Sequence, residues 1–100
     1  MTHPIKFLNA AKVEAFAAID WYEERETGLG TAFRESVEAA IEAISSNPRA
    51  YQIVFGTTVR RAMTDRFPYS IIYSIEADTV LIVSIFHNSR NPTVWRGRVS

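Results

Sequence analysis

Apolar and polar positions along this chain follow a helical period in the first half and a strand-like period in the second. Ile5-Lys6-Phe7-Leu8 follows Pro4, is short and β-compatible, and predicts a first strand. A helix is expected over 9–26, with Asn9 as its N-cap and Val13, Phe16, Ala17, Ile19 and Trp21 among its apolar positions. Glu14, Asp20, Glu23 and Glu24 are interleaved and read as its solvated face. Gly28-Leu29-Gly30 breaks the pattern, and Gly28 suits a left-handed stop. Thr31 is then expected to cap a second helix, whose stripe Leu29, Phe33, Val37, Ala40, Ile41, Ile44 stays on one face. Asn47-Pro48 ends it, because a residue before proline is pushed out of the helical region. Two helices joined by a short glycine turn form an antiparallel hairpin whose apolar seam needs a second layer.

That layer is predicted in the second half, as strands over 52–55, 58–63, 69–75 and 79–86. Tyr69, Ile71, Tyr73 and Ile75 alternate with Ser70 and Ser74, so one face of that strand is expected to be buried. Val80 to Phe86 is apolar on both faces apart from Ser84, as in a central strand. Glu76-Ala77-Asp78 is a natural hairpin turn between the two. The expected fold is α/β (α+β): an N-terminal strand, then a helical hairpin on a mainly antiparallel C-terminal sheet of three to four strands. Phe33, Val37, Ile41, Ile44, Ile71, Val83 and Ile85 are the predicted core. With no repeat or linker, residues 1–100 form one expected domain.

Composition narrows the function classes. There is no cysteine, which removes disulfides and thiolate chemistry and is compatible with a reducing cytoplasm. No signal peptide or membrane-length apolar run is seen, so a cytoplasmic protein with no membrane partner is expected. Net charge is zero but segregated. Residues 1–48 carry four bases against eight acids, net −4; residues 49–100 carry seven arginines against three acids, net +4 and no lysine. A neutral total argues against promiscuous nucleic-acid binding, whereas segregation permits one basic face. Arginine alone hints at bidentate pairing with carboxylate or phosphate, against ordinary surface charge as the plainer reading.

No metal and no cofactor are expected. His3 and His87 are the only histidines, no ligand cluster shows the needed spacing, and His3 reads as a disordered or surface residue. No nucleophile motif or phosphate-cradling glycine loop appears, and the four glycines are read as turns. The residues with chemistry gather late in the chain: Arg60, Arg61, Arg66, Tyr69, Tyr73, His87, Arg90, Trp95 and Arg98. Such arginines suit a scissile phosphate, with His87 or a tyrosine moving protons. The same set suits a protein interface, where Trp, Tyr and Arg dominate. Against both, Tyr69 and Tyr73 share an apolar face and read as core, and Trp95 reads as a plug at the sheet end. Arg60 and Arg61 point to opposite faces, so at most one serves a given site. His87 continues the alternation of Leu81, Val83 and Ile85, as a structural histidine would.

One ordered set of residues runs through the chain: Trp21-Tyr22-Glu23-Glu24, Gly28-Leu29-Gly30, Phe33, Asn47-Pro48, Val59-Arg60-Arg61 and Arg66-Phe67-Pro68-Tyr69. It continues through Ile72-Tyr73, His87, Arg90, Pro92, Trp95 and Arg98. In this it resembles the ParE/RelE superfamily of toxins, nearest the ParE-like, plasmid-stabilisation branch. The resemblance implies a small α/β module acting as a type II toxin. A cognate antitoxin would neutralise it and carry the only contact with operator DNA. ParE-like members inhibit DNA gyrase without catalysing a reaction, whereas RelE-like members cleave ribosome-bound mRNA with clustered lysines and arginines. With no lysine in the sheet half, gyrase inhibition is the preferred expectation. The alternatives are an mRNA interferase using Arg60, Arg66, His87 and Arg90, or a degenerate non-toxic antitoxin partner. The residues expected to meet a partner are Arg60, Arg61, Arg66, His87, Arg90, Trp95 and Arg98.

Overall fold

The computed structural model describes residues 2–99. Strand β1 (Ile5–Phe7) runs straight into helix α1 (Asn9–Arg25), and α2 (Leu29–Ser46) folds back against it. A 3-10 turn, Pro48–Ala50, leads to β2 (Gln52–Phe55), β3 (Val59–Met63), β4 (Tyr69–Glu76) and β5 (Thr79–His87), and α3 (Thr93–Arg96) follows. The sheet has five strands in the order β1-β5-β4-β3-β2. The four expected strands are antiparallel neighbours, and β1 joins the far edge parallel to β5, pairing Ile5 with Val80 and Phe7 with Ile82. Between β4 and β5, Ala77 and Asp78 both have positive φ, as a two-residue primed hairpin turn demands.

The helix starts differ from expectation. Asn9 already lies inside α1; Leu8 is its extended N-cap, and its backbone N–H is taken by Ile82 O in the sheet. Thr31 caps nothing, because α2 begins at Leu29 behind Gly28, whose φ of 91° is left-handed. The capping acid comes from the preceding helix: Glu23 accepts from Gly28 N at 2.9 Å and Gly30 N at 3.0 Å. A carboxylate there satisfies orphan amides and meets the positive end of the helix. His3, expected as surface or disordered, is half-buried and bonded to Ser45 through its backbone and its ring.

Both faces of the sheet are buried. The helical hairpin covers one with Phe33, Val37, Ile44, Ile71, Tyr73, Ile82 and Ile85 at its centre, and Ile41 is only partly buried against them. The other face carries a second cluster of Val59, Ile72, Val83, Phe86 and Trp95. Val83 therefore belongs to a different core from Ile85. The cause is a bulge: Ile72 pairs with Ser84 and Tyr73 with Ile82, leaving Val83 as an extra residue. The alternation that ran Leu81, Val83, Ile85, His87 in the sequence is broken there, and Ile85 and His87 turn to the helix side. Ser70 and Ser74, expected on an open face, are buried too.

The bulge falls where β1 stops. Past Phe7 the chain turns into α1, so the outer edge of β5 at 83–85 lacks a strand neighbour. Side chains take over the vacant bonds. Arg98 Nη1 donates to Val83 O at 3.0 Å, and Ile85 N donates to Glu14 at 3.3 Å. Among the described residues, no helix is long and apolar enough to cross a membrane.

Candidate functional site

Two grooves flank the end of the sheet where Tyr69 of β4 pairs with His87 of β5. The first, of about 420 Å³, lies on the helix side between α1 and the sheet, with Trp21, Tyr22, Tyr69, His87 and Arg90 in its walls. The second, of about 300 Å³, lies on the opposite face, with Arg61, Asn88, Arg90 and Arg96 around an apolar floor. Arg90 forms the rim of both.

In the helix-side groove the His87 and Tyr69 rings meet edge to face, 5.1 Å between centroids. Ser89 N donates to His87 Nδ1 at 3.1 Å, which makes Nδ1 an acceptor and leaves Nε2 as the ring nitrogen facing a ligand. Burial raises the Tyr69 hydroxyl above its ordinary pKa. Tyr22 and Glu14 reinforce that shift, and Arg90 opposes it. Burial does the same for Tyr22. Both phenols are neutral hydrogen-bonding groups at neutral pH.

On the opposite face Arg61 is held in place. Its Nε donates to Ser70 Oγ at 2.8 Å, its Nη2 lies 3.4 Å from Asn88 Oδ1, and Ser70 Oγ donates to the same amide oxygen at 2.6 Å. Arg96 lies over the rings of Phe55 and Trp95, 5.5 and 5.8 Å from their centroids.

The other sequence-predicted residues do not join these two. Arg60 lies on the helix side of β3, where Nη1 donates to the carbonyls of Tyr51 (2.6 Å) and Arg49 (3.1 Å). It holds the 3-10 turn. Tyr73 serves the same turn, donating to Pro48 O at 2.5 Å, and burial pushes its pKa up to about 12. Arg66 stands exposed in the β3–β4 connection with a positive φ, beside Phe67 and the cleft between α2 and β3. Trp95 is buried against Phe55 and Phe86, in the plugging role its position suggested.

Arg98 is bound to a residue that sequence reasoning left on a solvated face. Glu14 is only 12% exposed at its side chain; it accepts from Arg98 Nη1 at 2.9 Å, Arg98 Nη2 at 3.2 Å and Ser84 Oγ at 2.9 Å. Arg90 Nη1 stands 3.6 Å away. A signal for this was present: Glu14 sits three residues after Ala11 and four before Ala18, the two buried residues of α1. Arg96, Asn88 and Ser70 were also missed, and only tertiary pairing brings them to Arg61. Among the described residues no group of three or more His, Asp or Glu side chains could hold a metal.

A helical hairpin on one face of a mainly antiparallel sheet, with an arginine-rich sheet end, defines the RelE/ParE class of fold. The chain aligns with a solved structure of a chromosomal ParDE toxin–antitoxin system from P. aeruginosa, at TM-score 0.71 and 17% identity, covering 86% of this chain and 96% of that one. It also aligns with the RelBE2 toxin–antitoxin complex from Mycobacterium tuberculosis, at TM-score 0.62 and 18% identity, covering 87% and 99%. No curated protein sequence matches it. The family model for the ParE toxin of the type II toxin–antitoxin system parDE matches residues 5–92, and the chain belongs to that family.

Proposed function

We propose that this protein is the toxin of a type II pair, neutralised by a cognate antitoxin, and that once free it inhibits DNA gyrase by binding. Family membership supports the toxin role, and gyrase places its action in the cytoplasm. Contact with operator DNA falls to the antitoxin. The antitoxin is taken across the sheet and the hairpin, where α1 exposes Val13, Phe16 and Trp21 to a partner.

The observation favouring binding over cleavage is the dispersal of the nuclease set. Arg60 is committed to backbone carbonyls and Arg66 stands at a separate cleft. The arginine-lined groove contains no histidine, tyrosine or carboxylate among its described lining, and His87 faces the other side of the sheet. Proton transfer needs a titrating group within hydrogen-bond reach of the reacting oxygen.

The test has two stages. Induced expression of the chain alone should arrest growth, and co-expression of the adjacent gene should restore it; normal growth without that gene points to a degenerate antitoxin partner. Purified toxin should then block gyrase supercoiling or trap cleaved DNA, and no effect at excess toxin removes the gyrase reading. One observation favours a second reading. His87, Tyr69 and Arg90 do share the helix-side groove, so new cuts in ribosome-bound mRNA that vanish in His87→Ala would establish a nuclease.

A further inference from the structure

We infer that the groove formed by Arg61, Arg90 and Arg96 is a phosphate site that engages the backbone of DNA. The choice of DNA rests on the gyrase reading, since gyrase works on DNA. The site itself rests on how its cations are held.

Three guanidinium groups converge on one groove of about 300 Å³, and no carboxylate lines it among the described residues. Arg61 is fixed by two neutral partners. The Ser70 hydroxyl is fully buried, yet it accepts from Arg61 and donates to Asn88, so a buried polar group is committed to orienting this one side chain. Neutral partners fix geometry without cancelling charge, which leaves a preorganised cation open to a ligand. Arg96 is exposed and rests on aromatic faces, with no counter-ion among the described residues. Arg90 has only the looser 3.6 Å contact to Glu14 and is half-exposed. Three such cations exceed what one carboxylate needs and suit a ligand carrying several phosphates.

The apolar floor and the lack of lysine set the contact type. Guanidinium forks bind phosphate oxygens bidentately, and the Asn88 amide oxygen is already taken by Ser70 and Arg61, so binding should follow the backbone more than the base sequence. The net charge of zero over the whole chain predicts modest affinity, concentrated at this face.

The experiment is fluorescence anisotropy of the purified full chain with labelled duplex and single-stranded DNA, titrated at several salt concentrations. With three phosphates neutralised, affinity for the duplex should fall about sixfold for each doubling of salt, and for the single strand about fourfold. In Arg96→Gln, an exposed change that leaves the fold intact, the loss on the duplex should shrink to about three- to fourfold per doubling. Arg61→Gln should behave alike, and inorganic phosphate should compete. Arg34→Gln, on the outer face of α2, is the control and should bind as the parent does. Absence of DNA binding overturns the inference, as does binding that Arg61→Gln and Arg96→Gln leave unchanged. Capture of a labelled polyglutamate peptide in place of DNA also overturns it and marks the groove as an acidic-peptide site. A toxin that binds DNA here yet leaves gyrase untouched loses only the gyrase reading; one that inhibits gyrase without binding DNA loses only this one.

Discussion

Glu14 and Arg98 meet as a two-pronged pair, Nη1 to Oε1 at 2.9 Å and Nη2 to Oε2 at 3.2 Å, closing the edge of β5 that β1 leaves open. The pair stitches the last turn of the described chain to the first helix. It also satisfies Ser84, Ile85 and the Val83 carbonyl at the bulge.

Glu14→Ala removes the acceptor for all of these donors and leaves Arg98 half-buried without its counter-charge. The expected loss is about 2–4 kcal/mol of stability. Urea denaturation should show a lower midpoint at unchanged slope. Glu14→Gln keeps one acceptor oxygen and should lose roughly half as much. A double-mutant cycle with Arg98→Ala should return a coupling of about 1–3 kcal/mol, and a value near zero would contradict the pairing.

Tyr73 makes stability sensitive to alkali. Its folded pKa is about 12 against 10.0 for the free phenol. Above pH 10 the unfolded chain binds fewer protons than the folded one, so stability declines as pH rises. The contribution is complete below pH 10 and is lost between 10 and about 12, amounting to roughly 2–3 kcal/mol for a two-unit shift. Tyr73→Phe should flatten this alkaline limb, leaving the smaller shares of Tyr22 and Tyr69. Because it orphans the Pro48 carbonyl, it should also cost about 1–3 kcal/mol at neutral pH.

Gly30 lies at a close approach of the two helices. A Cβ there would come within 2.6 Å of the Ile19 carbonyl oxygen and 2.9 Å of Glu23 Cβ, backbone and stem that yield little. Gly30→Ala should destabilise by about 1–3 kcal/mol in thermal or urea melts. At Gly97 an added Cβ meets open space and φ is −64°, so Gly97→Ala should be neutral or slightly stabilising, by up to about 1 kcal/mol.

Arg60 and Arg66 separate structural from surface arginine. Arg60→Ala strips two donors from the turn that Tyr73 also holds and should cost about 1–3 kcal/mol. Arg66→Ala touches no side-chain hydrogen bond among the described residues and should fall within about 0.5 kcal/mol of the parent. Growth arrest scored against folded protein then isolates any functional part of Arg66. Loss of toxicity in Arg60→Ala should track its loss of folded protein.

Periodicity carried most of the architecture. The Phe33–Val37–Ile44 stripe, the proline stop at 48 and the apolar runs of β4 and β5 each reflect a repeat written within a dozen residues. What it missed were relations between distant residues. Glu23 looked like a solvated acid until α2 folded back and offered its first amides. Thr31 looked like a cap for the same reason in reverse. Ser70 and Ser74 looked exposed because the C-terminal segment that covers them carries no period of its own.

The candidate site divides along the same line. The sequence by itself determined the family, the helix pair, the strand order along the chain and the concentration of arginine in residues 49–100, seven of the nine. Only the tertiary structure decided which of those side chains meet. One extra residue at Val83 turned His87 and Arg61 to opposite faces. Arg60 went to the turn and Arg61 to an open groove, though they are adjacent in the chain. Glu14 found Arg98 at 84 residues' separation. Local preference acts over neighbouring residues, but an unpaired strand edge or a buried charge is satisfied by whatever the fold brings near.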